Sequence, residues 1–355
     1  MAAVYRHTAI RSGWRTVTAI GSLGCARRKC SAPWYQEHLE TKEKGHRSPS
    51  RMQEERSSIF KNPGVTTVEK MSKESLCEHL AQNVVYMEGP LVAINKSQGL
   101  SITSSSEGLS VVSILPELKQ ILQMKSDLHV VKAAPKESSG LVLLSTCHIT
   151  TKKLEDFYAV CRRSERPITT FCAVTLGTPS PAEGEISVAL KVENIGDQDL
   201  VVPVMHPSKG SLERREVKRT GTRYRVLHSA EGCSLLQLQP MSVYREQLLV
   251  HCTLKFCPIL GDHIYSARVA KILGENIHVP LDLATPRAQW IEEKILGKMH
   301  LTEQQVPRIP LHLHLHHLLM PDGSSTHLTA PPPPFFQRTM ELLHLKMKRS
   351  ALMDR

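Results

Sequence analysis

The stretch VVKAAPKESSGLVLLS, residues 130–145, has two halves that differ in composition. Its second half, GLVLLS, is an apolar run behind small residues, which predicts a turn followed by a buried strand. Its first half holds no Asp, His or Arg between Val130 and Pro135. These are side chains that commonly move protons or pair charges at active sites. The stretch therefore predicts a core strand that follows a loop without the usual catalytic groups.

Apolar periodicity on both sides of this stretch predicts an α+β fold. Short strands are expected at Val84 and Val85 and in LVAIN, around a turn of Glu88, Gly89 and Pro90. Further strands are expected in TTFCAVTL, EISVALKV, YRVLHS, CSLLQLQ and PLHLHLHHLLM, and helices in VVSILPELKQILQM, TKKLEDFYAVCRR, YREQLLVHCTLKF and AQWIEEKILGKM. Strands outnumber helices and short turns join them, which favours a mixed, largely antiparallel sheet with flanking helices over repeated βαβ units.

Composition favours an anionic partner. The chain has 355 residues and a formal net charge of +11, a balance typical of proteins that meet RNA, DNA or an anionic membrane surface. Aromatic residues make up 5% of the chain, which argues against base stacking as the main mode of binding. The sequence contains no run of 18 apolar residues, so no transmembrane helix is expected.

The two ends of the chain differ from its middle. Residues 1–36 contain six Arg or Lys residues, and the first acidic residue is Glu37. An Arg-rich segment without acids is typical of a mitochondrial transit peptide, which implies the mitochondrial matrix; a disordered basic tail is the alternative. Residues 37–80 are expected to form a polar linker, residues 81–345 the folded domain, and residues 346–355 a tail.

Cysteines and histidines give no clear metal site. The nine cysteines include no C-x-x-C pair, a pattern typical of reduced, buried thiols. In a strand, His312, His314 and His316 would share one face and could line up three imidazoles. The nearby sequence offers no carboxylate or cysteine to complete a site. An ordinary edge or surface strand is therefore the favoured interpretation, and no metal is expected.

Two basic clusters suggest contacts with a phosphate backbone. ERREVKRTGTRYRVLH carries Arg214, Arg215, Lys218 and Arg219 in a loop that leads into a strand, and CRRSERP forms a second cluster. Such loops can follow a phosphate backbone, although a solvated basic hairpin has the same composition. The sequence contains no G-x-S-x-G, P-loop or G-x-G-x-x-G motif.

Four segments in order resemble the RluA-type RNA pseudouridine synthases. They are LVAINKSQGLSI (91–102), VVKAAPKESSGLVLLS (130–145), the region from YRVLHS to CPILGDHIYS (224–266), and LHLHLHHLLM followed by LTAPPPPFF (311–336). The second is similar to the family's vHRLDkdTSGLlLla motif, and CPILGDHIY is the most specific match. The resemblance implies a pseudouridine-synthase fold with a central RNA cleft. It spans residues 84–336, most of the chain beyond the leader.

The resemblance also implies an activity and a partner. In this family an Asp acts on a uridine flipped out of RNA, and the base is detached, rotated and rejoined through C5 without a cofactor. The expected partner is mitochondrial RNA, with other RNA-processing or ribosome-assembly proteins as further candidates. The residues expected to contact RNA are Lys96, Lys132, Lys136, Arg214, Arg215, Lys218, Arg219 and Arg245.

The reactive positions of the family motif are replaced. The catalytic Asp falls on Pro135, which has no ionisable group, and the family's Tyr falls on Phe171. The Arg that pairs with the Asp falls on Tyr244, so both partners of the ion pair are absent, as expected because a lone buried Arg is costly. Glu137 is the nearest substitute carboxylate, displaced by roughly 6–7 Å along an extended chain.

Three functions remain open from the sequence. The first is a mitochondrial RNA pseudouridine synthase, with mRNA as the expected target, that supports mitochondrial translation. The second is a catalytically inactive RNA-binding member that acts in RNA handling or ribosome assembly. The third is a protein-interaction scaffold that uses the run Pro331–Pro334, which could form a short polyproline II segment. The closing segment of the family explains those prolines better.

Overall fold

The computed structural model describes residues 58–61, 64–103, 108–195, 198–280, 283–321 and 327–347. The segments predicted as a transit peptide and as a C-terminal tail lie outside these residues, apart from residues 346 and 347. Within them, eleven strands form one sheet in the order β1-β2-β4-β12-β5-β9-β8-β6-β7, with β3 added to β4 and β13 to β12. These strands are β1 (Val84–Glu88), β2 (Leu91–Lys96), β3 (His129–Ala133), β4 (Ser139–Ser145), β5 (Thr169–Leu176), β6 (Glu183–Ile195), β7 (Gln198–Val204), β8 (Lys218–Ala230), β9 (Cys233–Pro240), β12 (Leu313–Leu319) and β13 (His327–Thr329).

The sheet is mixed and largely antiparallel, as predicted. Strands β12 and β4 run parallel, while the other pairs are antiparallel, including β5 with β12 and with β9. A separate two-stranded hairpin is formed by β10 (Val269–Ile272) and β11 (Glu275–His278).

Seven α-helices of the described residues flank the sheet. They are α1 (Lys73–Gln82), α2 (Val111–Ile121), α3 (His148–Arg163), α4 (Lys209–Glu213), α5 (Gln247–Leu254), α6 (Glu293–Met299) and α7 (Pro334–Leu342). None of the helices in this part of the chain is long and apolar enough to cross a membrane. The helix predicted over residues 288–299 is shorter than expected and begins only at Glu293.

The folded domain begins earlier in the chain than the predicted residue 81, because it includes helix α1. The helix begins inside the segment predicted as a polar linker, and Ser72 caps it by accepting a hydrogen bond from the backbone N–H of Ser75. Its apolar side chains Leu76, Cys77 and Leu80 are buried in one cluster with β2, α2 and β4. Residues 73–80 therefore belong to the domain, because a single apolar stripe in an otherwise charged segment is enough to pack a helix.

Strand β12 lies in the centre of the sheet. It was expected to be an edge or surface strand, and that prediction is wrong, because β12 pairs with β4 on one side and with β5 on the other. All of its residues from Leu313 to Leu319 are buried. The alternation of Leu and His does not mark one wet face and one dry face, since both faces of this strand are covered.

Gly140 explains why small residues precede the core strand β4. Its φ is +119°, and a Cβ at this position would lie 2.3 Å from the backbone oxygen of Leu315 on β12. Only glycine allows the two strands to come this close. The parallel contact is short, with Ser139 opposite His314 and Gly140 opposite Leu315. The turn of residues 135–138 is thereby held at the end of β12, beside the cavity described next.

Candidate active-site cleft

A cavity of about 100 Å³ opens at the N-terminal end of β5. Its walls come from the end of β3 and the following turn, from the start of β5, and from the loop that joins β9 to α5. Pro135, Phe171 and Tyr244 all line it. The three positions aligned with the family's Asp, Tyr and Arg thus meet at one cavity. Its volume is several times that needed by one water molecule, so it can admit a small planar base.

The three side chains that line the cavity at these positions carry no charge. Pro135 offers an exposed ring and no acid. Phe171 is 5% exposed and presents an aromatic ring without a hydroxyl. Tyr244 is half-buried, and burial raises the pKa of its phenol. The ring faces suit the packing of a planar base, but none of these three side chains is an anion at neutral pH.

Lys96 holds the turn that carries Pro135 and does not face solvent. It was predicted to contact RNA, and the structure corrects this, because the side chain is 1% exposed. Its ammonium group donates to the four backbone oxygens of Ser97 (3.1 Å), Pro135 (3.0 Å), Lys136 (3.4 Å) and Ser138 (2.7 Å). Burial lowers the pKa of Lys96 to about 7, and the charge of Glu137 opposes that shift. Four carbonyl acceptors also favour the charged form.

The remaining charges of this turn lie nearer to solvent. Lys132 lines the cavity and is partly buried, and burial lowers its pKa with a smaller effect from the charge of Arg162. Lys136 and Glu137 are exposed, and Glu137 lies at the rim of the cavity. The turn therefore places one cation in the cavity wall and an exposed pair of opposite charges at its mouth.

The predicted basic loop divides into two parts. Arg214 and Arg215 follow α4, and Arg214 forms an exposed ion pair with Glu216 at 2.7 Å. Lys218 begins β8 and donates a hydrogen bond of 2.9 Å to the backbone oxygen of Val243, which lines the cavity. Arg219 follows it and is exposed. Lys218 thus ties the basic segment to the cavity wall, whereas Arg214 and Arg215 lie on the preceding turn.

Glu246 lies in the cavity wall and was not considered as a substitute carboxylate from the sequence. Its side chain is 13% exposed. One carboxylate oxygen accepts a hydrogen bond of 3.0 Å from Nε of Arg245, and the other accepts from the hydroxyl of Tyr265. The guanidinium of Arg245 also reaches the backbone oxygen of Asp199 at 3.3 Å. The signal in the sequence was that Glu246 is an acid inside the segment aligned with the family's Arg-containing motif.

Three further polar residues near the cavity, Asp262, Gln247 and His251, form hydrogen bonds that stabilise the fold. Asp262 is buried and accepts hydrogen bonds of 2.9 Å from the backbone N–H groups of Ile264 and Tyr265, so its carboxylate holds this turn. Burial raises its pKa to about 6. Gln247 bonds to the backbone oxygen of Gly221 at 3.0 Å, and His251 bonds to threonine hydroxyls on β8. These contacts lock α5 against the sheet.

The histidines of β12 are bonded to protein groups. Nδ1 of His314 lies 2.9 Å from the hydroxyl of Ser139, and its Nε2 lies 3.0 Å from the backbone oxygen of Ala330. His312 bonds in the same way to Pro310 and Thr339. No group of three or more His, Cys, Asp or Glu side chains in the described ranges is placed to hold a metal ion.

The chain is similar to several known proteins over most of its length. No protein-family model matches the chain. It is 44% identical over 291 residues to the mitochondrial mRNA pseudouridine synthase Rpusd3 of Mus musculus, an alignment that covers 81% of this chain and 84% of that protein. The identity to the Homo sapiens protein of the same name is also 44%, over 78% of this chain and 80% of that protein. The solved structure of human RNA pseudouridylate synthase domain containing 4 has a TM-score of 0.62 at 25% identity, covering 78% of this chain and 98% of that chain. These similarities confirm the predicted fold class.

Proposed function

This chain belongs to the RluA-type pseudouridine synthase family, and on that premise we propose that it isomerises uridine to pseudouridine in mitochondrial RNA, with mRNA as its substrate. The relatives that are 44% identical carry the name mitochondrial mRNA pseudouridine synthase. One observation carries the proposal: the three family positions Pro135, Phe171 and Tyr244 converge on one cavity that a base can enter.

The reaction itself needs no cofactor. The bond between N1 and C1′ breaks, a bond between C5 and C1′ forms, and a proton leaves C5 while another joins N1. Atoms and electrons balance without an oxidant or a co-substrate. A cavity that receives one base between aromatic rings suits a reaction in which the base must turn in place.

The cations around the cavity supply the proposed RNA contacts. Extruding a base from RNA costs a few kcal/mol, and phosphate contacts can offset that cost. We assign this role to Lys132 in the wall, to Lys136 at the mouth and to the exposed residues of the basic segment. These last are Arg214, Arg215, Lys218 and Arg219, and Arg245 in the loop between β9 and α5 is assigned the same role.

The proposed compartment follows from the leader and the relatives. Residues 1–36 have the composition of a transit peptide, and the relatives are named mitochondrial. We therefore propose the mitochondrial matrix as the site of action, with the RNA-processing and ribosome-assembly proteins found there as candidate partners.

A second function is favoured by one specific observation. Proline at position 135 and tyrosine at position 244 remove both members of the family's ion pair from the cavity. A protein with this change can still bind a flipped base and serve mitochondrial RNA handling or ribosome assembly without performing chemistry. The two functions predict the same RNA binding and differ only in pseudouridine formation.

Mapping of pseudouridine in mitochondrial RNA tests the proposal. RNA from cells with and without the protein is compared, and the purified protein is incubated with the RNAs whose signal changes. Loss of specific pseudouridines in cells and their formation in the purified reaction are expected. Binding without isomerisation would establish the second function. The variant in which Arg214, Arg215, Lys218 and Arg219 are all changed to Ala is expected to bind these RNAs more weakly and with a smaller salt dependence.

A further inference from the structure

The family's Asp position cannot supply an anion in this protein, and the cavity offers another one. We infer that Glu246 is the catalytic carboxylate, an inference that rests on the proposed isomerisation of uridine. Among the described residues that line the cavity, the acids are Glu137 and Glu246. Their surroundings differ in backbone conformation, exposure and hydrogen bonding.

The backbone holds Glu246 in an unusual conformation. Its φ is +54°, in the left-handed region, although it is not a glycine. It occupies the N-cap position of α5, yet its side chain does not cap that helix. Residues with this backbone conformation concentrate at functional sites, where the surrounding structure holds them in place. Here the conformation directs the carboxylate away from the helix and towards the cavity wall and Tyr265.

Tyr265 fixes the carboxylate from one side. The Tyr265 side chain is buried, with 1% of its surface exposed. Its hydroxyl accepts a hydrogen bond of 2.9 Å from the backbone N–H of Val201, so its own proton is donated to Glu246. Burial and the contact with Glu246 both raise the pKa of Tyr265, which keeps the phenol protonated as a donor. Glu246 is therefore held as an acceptor.

Arg245 balances the charge from the other side. Its Nε donates to the second oxygen of Glu246 at 3.0 Å. In the family, according to the resemblance, an Arg pairs with the catalytic Asp. In this chain the pair is re-created one residue along the same loop, between Arg245 and Glu246.

Glu137 lacks these supports. It lies in the turn between β3 and β4, its side chain is exposed, and its charge is close to the buried ammonium of Lys96. Asp262 is the other buried acid near α5, but both of its backbone contacts serve the turn and it does not line the cavity. An ordered, largely buried anion at a base-sized cavity is found only at Glu246 among the described lining residues.

The chemistry assigned to Glu246 is a double displacement at C1′. A carboxylate oxygen attacks C1′ of the flipped uridine, the bond from C1′ to N1 breaks, and the base leaves with the electron pair on N1. After the base turns, C5 attacks C1′ and the ester bond to Glu246 breaks, which restores the carboxylate. The proton lost from C5 passes to solvent and N1 takes one up. A carboxylate suits this step because it is ionised at neutral pH.

Replacement of Glu246 by Gln tests the assignment. Glu155→Gln, at an exposed position of α3 that does not line the cavity, is the matched control, and Glu137→Gln tests the rival acid. The full chain is incubated with an RNA that the wild-type protein modifies, and pseudouridine is measured in single-turnover time courses. Binding to the same RNA and the melting temperature are measured in parallel. Glu246→Gln is expected to lower the rate by about 100-fold or more, with RNA binding retained, while Glu155→Gln leaves the rate unchanged.

Two results would overturn the assignment. A wild-type rate in Glu246→Gln, or loss of activity in Glu137→Gln with binding retained, removes Glu246 as the catalytic group while leaving the proposed isomerisation intact. A wild-type protein that binds RNA but forms no pseudouridine defeats the proposed isomerisation itself, and the role of Glu246 with it. Should Glu246→Gln fail to fold, Tyr265→Phe provides the second measurement. It removes one donor to the carboxylate and should lower the rate and shift its pH profile, whereas an unchanged rate and profile count against the assignment.

Discussion

Mild acid should destabilise this protein because several buried histidines are neutral in the native state. Burial lowers the pKa of His251 and His312 to about 4 and that of His314 and His317 to about 3. In the unfolded chain each has a pKa of about 6.5. The unfolded state therefore binds more protons below pH 6.5, and stability that is present above that pH is lost as the pH falls towards 4.

The size of the effect follows from these values. Between pH 7.5 and pH 5.5 each of the four histidines lowers the free energy of unfolding by about 1.3 kcal/mol, or about 5 kcal/mol together. Asp262 acts in the opposite direction, because its raised pKa of about 6 lets the native state take up a proton in the same window, which returns about 0.8 kcal/mol. The net loss of about 4–5 kcal/mol is a large part of the 5–15 kcal/mol typical of a folded domain.

Urea unfolding, followed by circular dichroism at constant ionic strength, measures this loss across pH 7.5 to 5.5. His314→Asn should reduce the loss by about 1.3 kcal/mol, because one of the four titrating groups is removed. The exposed His344 provides the matched control, and its change to Asn should leave the pH dependence as it was. A free energy of unfolding that changed by less than about 1 kcal/mol over this range would refute the reasoning.

Two further predictions concern the turn and strand around residues 135–145. Gly140→Ala should lower the free energy of unfolding by at least about 3 kcal/mol, because the added Cβ meets the backbone oxygen of Leu315 at 2.3 Å. Gly232→Ala is the control, since its Cβ would meet nothing within 4 Å, and it should melt nearer to the wild type. Equal melting temperatures of the two variants would contradict the close approach of the strands. Lys96→Met should lower the free energy of unfolding by about 1–3 kcal/mol, because buried carbonyl groups lose their donor. Lys136→Met, at an exposed site, should not lower it. Equal urea midpoints for the two variants would show that the ammonium group of Lys96 does not hold the turn.

Local sequence was enough to place most elements of the domain. The apolar run of β4, the helical spacing in α3 and the strand pattern of β5 all follow from side-chain periodicity, which depends on neighbours along the chain. The small residues Ser138, Ser139 and Gly140 also predicted a turn. The order of the four family segments predicted the fold class, because each carries its own turn and strand signals.

Local sequence did not predict the position of each element in the sheet. The alternating sequence of β12 is equally typical of a surface strand, and only its pairing with β4 and β5 makes it central. The predicted linker ended too late because the packing of α1 depends on β2, α2 and β4. Burial is decided by what covers a side chain, and that partner can lie anywhere in the chain.

The candidate site shows the same division. The sequence by itself determined that residue 135 has no ionisable side chain and that residue 244 has no guanidinium group, since both follow from residue identity. Only the tertiary structure decided that Lys96 binds backbone oxygens about 40 residues away along the chain, and that the carboxylate of Glu246 accepts a hydrogen bond from the buried Tyr265. Residue type sets which chemistry a side chain can perform, whereas its exposure, charge partners and distance from a substrate arise from contacts between segments remote in sequence.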